Sequence, residues 1–283
     1  MSAISGAQPT SEIAFRGELA RHWATVLATA RSYVKRVNVY PIDVIRWPLY
    51  PLMLYATMRL TYAAAGRDTV AGANTSAFLL VGMFGLITWT ATIWSGGYTL
   101  EFERDEGTIA ALFLSPASRV AVIAGYGLGG LVWLLPAVVV VTLLGAAIGA
   151  RLDVSEPLAP LLAGLALLVA SVATGFALAG LFILSRHANL FANFIQLPAH
   201  FLAGFVVPRD SLPAWLLPFS NAVPASHAVD ALRASALHGA TLADTLPRLG
   251  ATLGLSALYA VVGAICLGRI EYAAKRSGQL DLY

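Results

Sequence analysis

Hydrophobic positions in this chain come in long blocks, not in short alternations. Residues 69–100, 120–150 and 157–185 contain no Asp, Glu, Lys or Arg, and each run exceeds the ~20 residues that a helix needs to cross the hydrocarbon of a bilayer. Shorter blocks flank them. Residues 47–65 are interrupted only by Arg59, residues 188–208 are uncharged but hold Pro198 and His200, and residues 249–268 are free of charge. The pattern predicts six membrane helices, at about 44–65, 76–98, 120–149, 158–184, 188–207 and 249–269.

Ahead of the first block the spacing changes. Phe15, Leu19, Trp23, Val26, Leu27, Ala30, Val34 and Val37 recur at helical intervals, while Glu18, Arg21, Thr25, Arg31 and Lys35 fall largely elsewhere around the helix. This predicts an amphipathic helix within residues 1–40, lying in the cytoplasmic interface with its basic face toward anionic headgroups. Between the last two blocks, 208–240 is too apolar for a solvated loop, yet Pro208, Pro213, Pro218 and Pro224 interrupt it too often for a spanning helix. Short re-entrant helices dipping into the outer leaflet fit that composition. The expected architecture is therefore an all-α membrane protein: an interfacial segment, one six-helix domain over 41–270, and a tail over 271–283.

Composition agrees. The chain is 58% hydrophobic and 12% charged, with a mean hydropathy of +0.73, against about 25% charged residues in soluble domains. Eleven Lys and Arg fall in the amino-terminal segment, the second and fourth inter-span loops and the tail, against five in the remaining loops. Positive charge is retained inside, so both termini are expected to be cytoplasmic. The same bias accounts for the net charge of +3 without a nucleic-acid partner. Arg46 and Arg59 bracket the first span and are placed to anchor it at the two interfaces; Arg59 is also a candidate for the transport path.

Several chemistries lack their residues. A phosphate-binding loop needs Gly-Lys followed by Ser or Thr, and the two lysines, Lys35 and Lys275, follow Val34 and Ala274. An intramembrane hydrolase would need a serine elbow or metal-ligand spacing, and neither Ser95 nor the surroundings of His200 and His227 supply one. An ion-driven transporter would place ionisable groups near the midplane, where spans two to six have no Asp, Glu, Lys or Arg.

The charge that exists is concentrated. "LEFERDEGTIAALFLSPASR", residues 100–119, holds Glu101, Glu103, Asp105 and Glu106, four of the 15 acids. Read as a coupling helix over 100–116, it puts Phe102, Ile109, Leu112 and Phe113 on one face and leaves Glu103, Arg104 and Glu106 toward water or a partner. Ser115 before Pro116 marks its end.

The order Glu103-x-x-x-Gly107-Thr108-x-x-x-Leu112-x-x-Ser115-Pro116 resembles the cytoplasmic coupling segment of ABC exporter permeases of the second type. "PRDSLPAWLLPFSNAVPASHAVDALR", residues 208–233, is similar to that family's second signature, ahead of its last span. In this chain Asp105 and Glu106 follow Arg104, where the family loop is often more basic. The resemblance implies six spans, an interfacial helix and a first cytoplasmic loop that docks a separate ATPase through Glu101, Glu103, Arg104, Glu106, Gly107 and Thr108. It implies a bacterial inner-membrane exporter of drugs, antibiotics or lipid-like molecules, or alternatively of polysaccharides. The permease would act as a dimer with itself or a sister subunit and bind no cofactor. ATP and Mg would sit in two copies of the partner ATPase. Arg59, Trp89, Trp94, Phe191, Phe194 and Phe201 are the expected residues of the path.

Overall fold

A computed structural model describes residues 11–37, 41–97, 103, 106–108, 118–182 and 188–277. They form nine helices: α1 (Ser11–Val37), α2 (Pro41–Ala64), α3 (Thr75–Thr92), α4 (Arg119–Ala147), α5 (Leu158–Phe182), α6 (Ala188–Leu202), α7 (Leu217–Ala222), α8 (Pro224–Leu237) and α9 (Leu242–Ser277). A tight hairpin pairs Val70 with Ala73 between α2 and α3. Among the described residues four helices are long and apolar enough to cross a membrane, at Thr75–Gly96, Val120–Ala147, Leu158–Ala179 and Leu242–Arg269.

The centre of the bundle is α3, which contacts α2, α4, α5 and α8. Seventeen of its residues are buried, Phe84 being the exception. Asn74 caps its start by accepting a hydrogen bond from the Ala77 amide at 3.1 Å, which satisfies one of the donors that a helix N-terminus leaves open. The helix tolerates Thr and Ser in apolar surroundings because their hydroxyls bond back to the preceding turn. Thr92 Oγ1 donates to the Thr88 carbonyl at 3.0 Å and Ser95 Oγ to the Ala91 carbonyl at 2.6 Å. Its last turn, Ile93–Gly97, is π-helical.

Glycines decide which helices approach most closely. The position of a Cβ on Gly125 lies 2.6 Å from the Val26 carbonyl, and one on Gly129 lies 3.0 Å from the Ala30 carbonyl and from Tyr33 Cβ. The Gly125/Gly129 pair of α4 is thus the bed on which α1 lies. The amphipathic helix packs against the bundle with Val26 buried, and leaves Trp23 and Leu27 exposed.

Span five differs from its expected extent of 188–207. Helix α6 stops at Leu202, five residues before that expected end. The chain turns at Gly204, whose φ of +73° suits a residue without Cβ, and Phe205 is laid against α3. A Cβ on Gly82 would stand 1.7 Å from the Phe205 carbonyl, and one on Gly85 2.5 Å from its ring. Carbonyls released from the helix need donors in a dry interior. Buried Arg233 of α8 provides them, bonding the carbonyls of Gly204 at 2.6 Å and Phe205 at 3.1 Å with its guanidinium 3.8 Å from the Phe78 ring centroid.

The proline-rich segment after it forms a 3-10 turn (Arg209–Ser211) and then α7 and α8. Arg209 joins them: its Nε donates to Ser220 Oγ at 2.7 Å, and its Nη atoms contact Asp230 and Asn221. Helix α8 packs against α3, α5 and α9.

A Gly125→Val substitution is expected to push α1 off α4 at a cost of about 1–3 kcal/mol, as overpacking does. Faster alkylation of a cysteine placed at Thr29, with Cys266 replaced by Ala, would report the separation; unchanged reactivity would refute this packing.

Candidate functional site

The loop between α3 and α4 holds the most heavily bonded carboxylate among the described residues. Glu103 is buried and accepts from every side: the Tyr126 hydroxyl at 2.6 Å, both Arg36 Nη atoms at 3.3 Å, and the Thr108 hydroxyl. Three segments converge on one side chain. Arg36 ends α1, Tyr126 sits between Gly125 and Gly127 of α4, and Thr108 belongs to the loop itself. Tyr33 of α1 meets the Tyr126 ring edge-on with centroids 5.8 Å apart, and the Arg36 guanidinium lies 5.9 Å from the same ring.

Electrostatics favour the ionised form of Glu103. Burial alone would raise its pKa, but hydrogen bonds from Thr108 and Tyr126 and the adjacent Arg36 charge outweigh it, and the carboxyl titrates below the usual glutamate range. A buried charge is tolerated only when paired and bonded in this way.

Local backbone shapes the loop. Gly107 has φ +72°, and the Thr108 amide donates to the Glu103 carbonyl at 2.9 Å, the closure that ends many helices. A continuous α-helix does not pass through Gly107, because a left-handed residue breaks the α ladder; apart from 103 and 106–108, the expected coupling helix over 100–116 lies outside the described residues. Among the described residues nothing stands within 4 Å of a Cβ at Gly107, and its left-handed φ is what calls for a glycine. Glu106, Gly107 and Thr108 are exposed. Glu103, expected toward water or a partner, instead points inward, because Arg36 and Tyr126 offer it better company than solvent does. Glu101 and Arg104 lie outside the described residues.

A second feature is a cleft of about 410 Å³ bounded by α1, α2, α3, α4 and α6. Its apolar walls include Leu86, Ile87, Leu134 and Ala137, and its polar groups are Tyr33, Tyr50, Thr90, Trp94, Asn193 and Gln196. Trp94 Nε1 donates to Gln196 Oε1 at 3.2 Å, bridging α3 and α6. No Asp, Glu, Lys, Arg or His lines it among the described residues.

The other expected path residues scatter. Trp89 is buried against Phe205, ring centroids 6.2 Å apart; it is a core residue and lines no wall of the cleft. Phe191, Phe194 and Phe201 are exposed on α6. Arg59 donates from Nε to Ser76 Oγ at 3.0 Å and lies 3.8 Å from Asp68, so it ties α2 to the hairpin and the start of α3. Sequence reasoning passed over Arg36, Tyr33, Tyr126, Thr90, Asn193 and Gln196. Asn193 and Gln196, three residues apart between Leu190 and Ala199 with apolar residues around them, carried a readable signal: polar side chains one turn apart share a helix face.

Among the described residues no three His, Cys, Asp or Glu side chains gather where a metal ion could be held. The arrangement is that of a multi-pass helical membrane protein with a loop bolted to its amino-terminal helix and an uncharged cleft beside it. The family model of the ABC-2 type transporter matches residues 28–237, most of the chain, and the protein belongs to that family. It is an ABC transporter permease subunit. No curated protein matches the chain.

Replacing Glu103 by Gln is expected to lower stability at neutral pH by about 1–3 kcal/mol, the scale of hydrogen bonds to a charged group. Because the native-state pKa is depressed, this contribution is full above the ordinary glutamate range and is lost as pH falls through the native value. Thermal unfolding in detergent should thus show a gap between wild type and variant at pH ~7 that narrows as pH falls below the ordinary glutamate range of about 4.3.

Proposed function

We propose that this permease forms the translocation path of an ATP-driven exporter, and that its α3–α4 loop is the coupling element for a separate ATPase. The observation that carries this reading is the Glu103 junction. A loop that must pass mechanical work to a bundle cannot be slack, and here one carboxylate ties the loop to α1 and α4 together. The exposed turn at Glu106–Thr108 is the docking surface, with Glu101 and Arg104 beside it in sequence; Glu103 is the bolt behind it.

Two copies of the chain, or this chain and a sister permease, bind two ATPase subunits that carry ATP and Mg. Closure of those subunits pushes the turn, and the push reaches α1 through Arg36 and α4 through Tyr126. In this reading α2 and the short α6 complete a set of six crossings in a bacterial inner membrane. Helices α7 and α8 form the outer re-entrant region, and both termini are cytoplasmic. The exposed aromatic face of α6, with Phe191, Phe194 and Phe201, faces the path between the two permeases. The cargo class is drug, antibiotic or lipid-like.

The docking claim is checked by purification from the host membrane. Wild type is expected to bring down a subunit with a phosphate-binding loop; Glu106→Lys combined with Arg104→Glu should lose it, while Glu103→Gln should retain it with reduced ATP-driven transport. Retention of the ATPase by the double reversal would refute docking at this turn. Topology is checked with single cysteines at Glu106 and Ser211 in a Cys266→Ala background; they should label from opposite faces of the membrane, and labelling from one face would refute the orientation.

A further inference from the structure

The Glu103 junction and the uncharged cleft share one side chain. Tyr33 of α1 lines the cleft and meets the Tyr126 ring edge-on, and Tyr126 donates its hydroxyl to Glu103. None of Arg36, Glu103, Thr108 and Tyr126 lines the cleft, and among the described residues no other residue of α1 does. The groove of about 800 Å³ among α3, α4, α5 and α9 has no such tie. Ile123 and Gly127 of α4 line it, but no residue bonded to Glu103 does.

Tyr33 is held so that it follows the junction. It stands three residues before Arg36, so the two share one side of α1 about one turn apart, and a displacement of Arg36 carries Tyr33 with it. Its Cβ and Cδ1 both lie 3.0 Å from the position that a Cβ would take on Gly129. A ring pressed this closely on a neighbouring backbone has few rotamers to retreat into, and close-packed contacts transmit displacement. Another wall of the cleft is held by separate means. Trp94 Nε1 donates to Gln196 Oε1 between α3 and α6, a bond in which Glu103 and its partners take no part. One wall therefore moves with the junction while the other is tied elsewhere.

We propose that Tyr33 is the positioning residue through which the Glu103 junction sets the width of the Trp94 cleft. The proposal rests on the coupling reading and names the side chain that carries a push on the loop as far as the cleft. Movement of Glu103 displaces Arg36 and Tyr126, and the Tyr33 ring, lodged between them and the cleft, is displaced in turn. The contact with Tyr126 is between rings, so the aromatic ring of Tyr33 carries the effect and its hydroxyl is dispensable.

The test uses the purified full chain in phosphatidylcholine nanodiscs, without any ATPase, in a Cys266→Ala background. Acrylodan, whose emission moves to longer wavelength as its surroundings become more polar, is attached to a cysteine replacing Tyr50, a half-exposed residue of α2 that lines the cleft. Glu103→Gln is the perturbation. With Tyr33 present it is expected to loosen the wall and move the emission to longer wavelength. Tyr33→Phe, which keeps the ring, should show the same response. In Tyr33→Ala the starting emission differs, but Glu103→Gln should no longer change it. Such a comparison is a double-mutant cycle: lost packing alone moves the starting value, whereas a lost relay erases the response. A second label, at exposed Leu258 of α9, should not respond to Glu103→Gln.

No shift at position 50 with Tyr33 present, an undiminished shift in Tyr33→Ala, loss of the response in Tyr33→Phe, or an equal shift at position 258 would each overturn the relay. If Tyr33→Ala does not fold, Tyr33→Leu, which keeps apolar packing on α4 without a ring, is read in its place. Because no ATPase is present, failure here leaves the docking claim standing. Failure of ATPase co-purification leaves this measurement intact.

Discussion

A carboxylate withdrawn from water must be given back what water supplied, and the end of this permease that carries the α3–α4 loop is organised around meeting that demand. Glu103 receives donors from α1, from α4 and from its own loop. Removing any one donor leaves a buried charge short of partners, which costs more than the bond itself is worth. The consequence is geometric. The end of α1, the first turns of α4 and the loop cannot shift independently, since each holds the same two oxygens. The Gly125/Gly129 bed extends this constraint along α4 by letting α1 lie at backbone contact distance.

At the other end of the bundle the same physics appears with the sign reversed. There a buried cation, Arg233, satisfies carbonyls that the end of α6 has released. The motif that contains it also contains Arg209 and Asp230, whose contact links the turn after α6 to α8. Spacing of charged residues in this proline-rich segment therefore encodes a set of internal ties and not a solvated surface. Between the two charged ends the interior carries hydroxyls, amides and indoles, several of them bonded to one another or to the backbone, as Trp94 is to Gln196 and Thr92 to the Thr88 carbonyl.

The sequence announced its long helices because lipid forbids charge over the length of a crossing; the runs at 69–100, 120–150 and 157–185 contain α3, α4 and α5. It announced the family through the coupling segment and the proline-rich signature, and the family match spans both. It did not announce where α6 ends, because residues 203–207 are as apolar as those before them. The stop depends on Gly204 and on an arginine 29 residues later. Nor did it announce that Glu103 is buried, since local composition argues for solvent and its partners lie 67 and 23 residues away. The cleft was half legible. Trp94 stood out as an aromatic, but the five helices that enclose it meet only in three dimensions.

The π-helical turn at Ile93–Gly97 bears on all of this in a way that distances do not reveal. Such a turn holds one residue more than the α-helical ladder would, and each residue advances a helix by about 100°. Gly97 therefore ends α3 at a different azimuth from the one an unbroken α-helix would give it. A single surplus residue thus turns the end of the α3 screw, while Trp94 and Ser95 inside that turn keep their own bearings toward Gln196 and the Ala91 carbonyl.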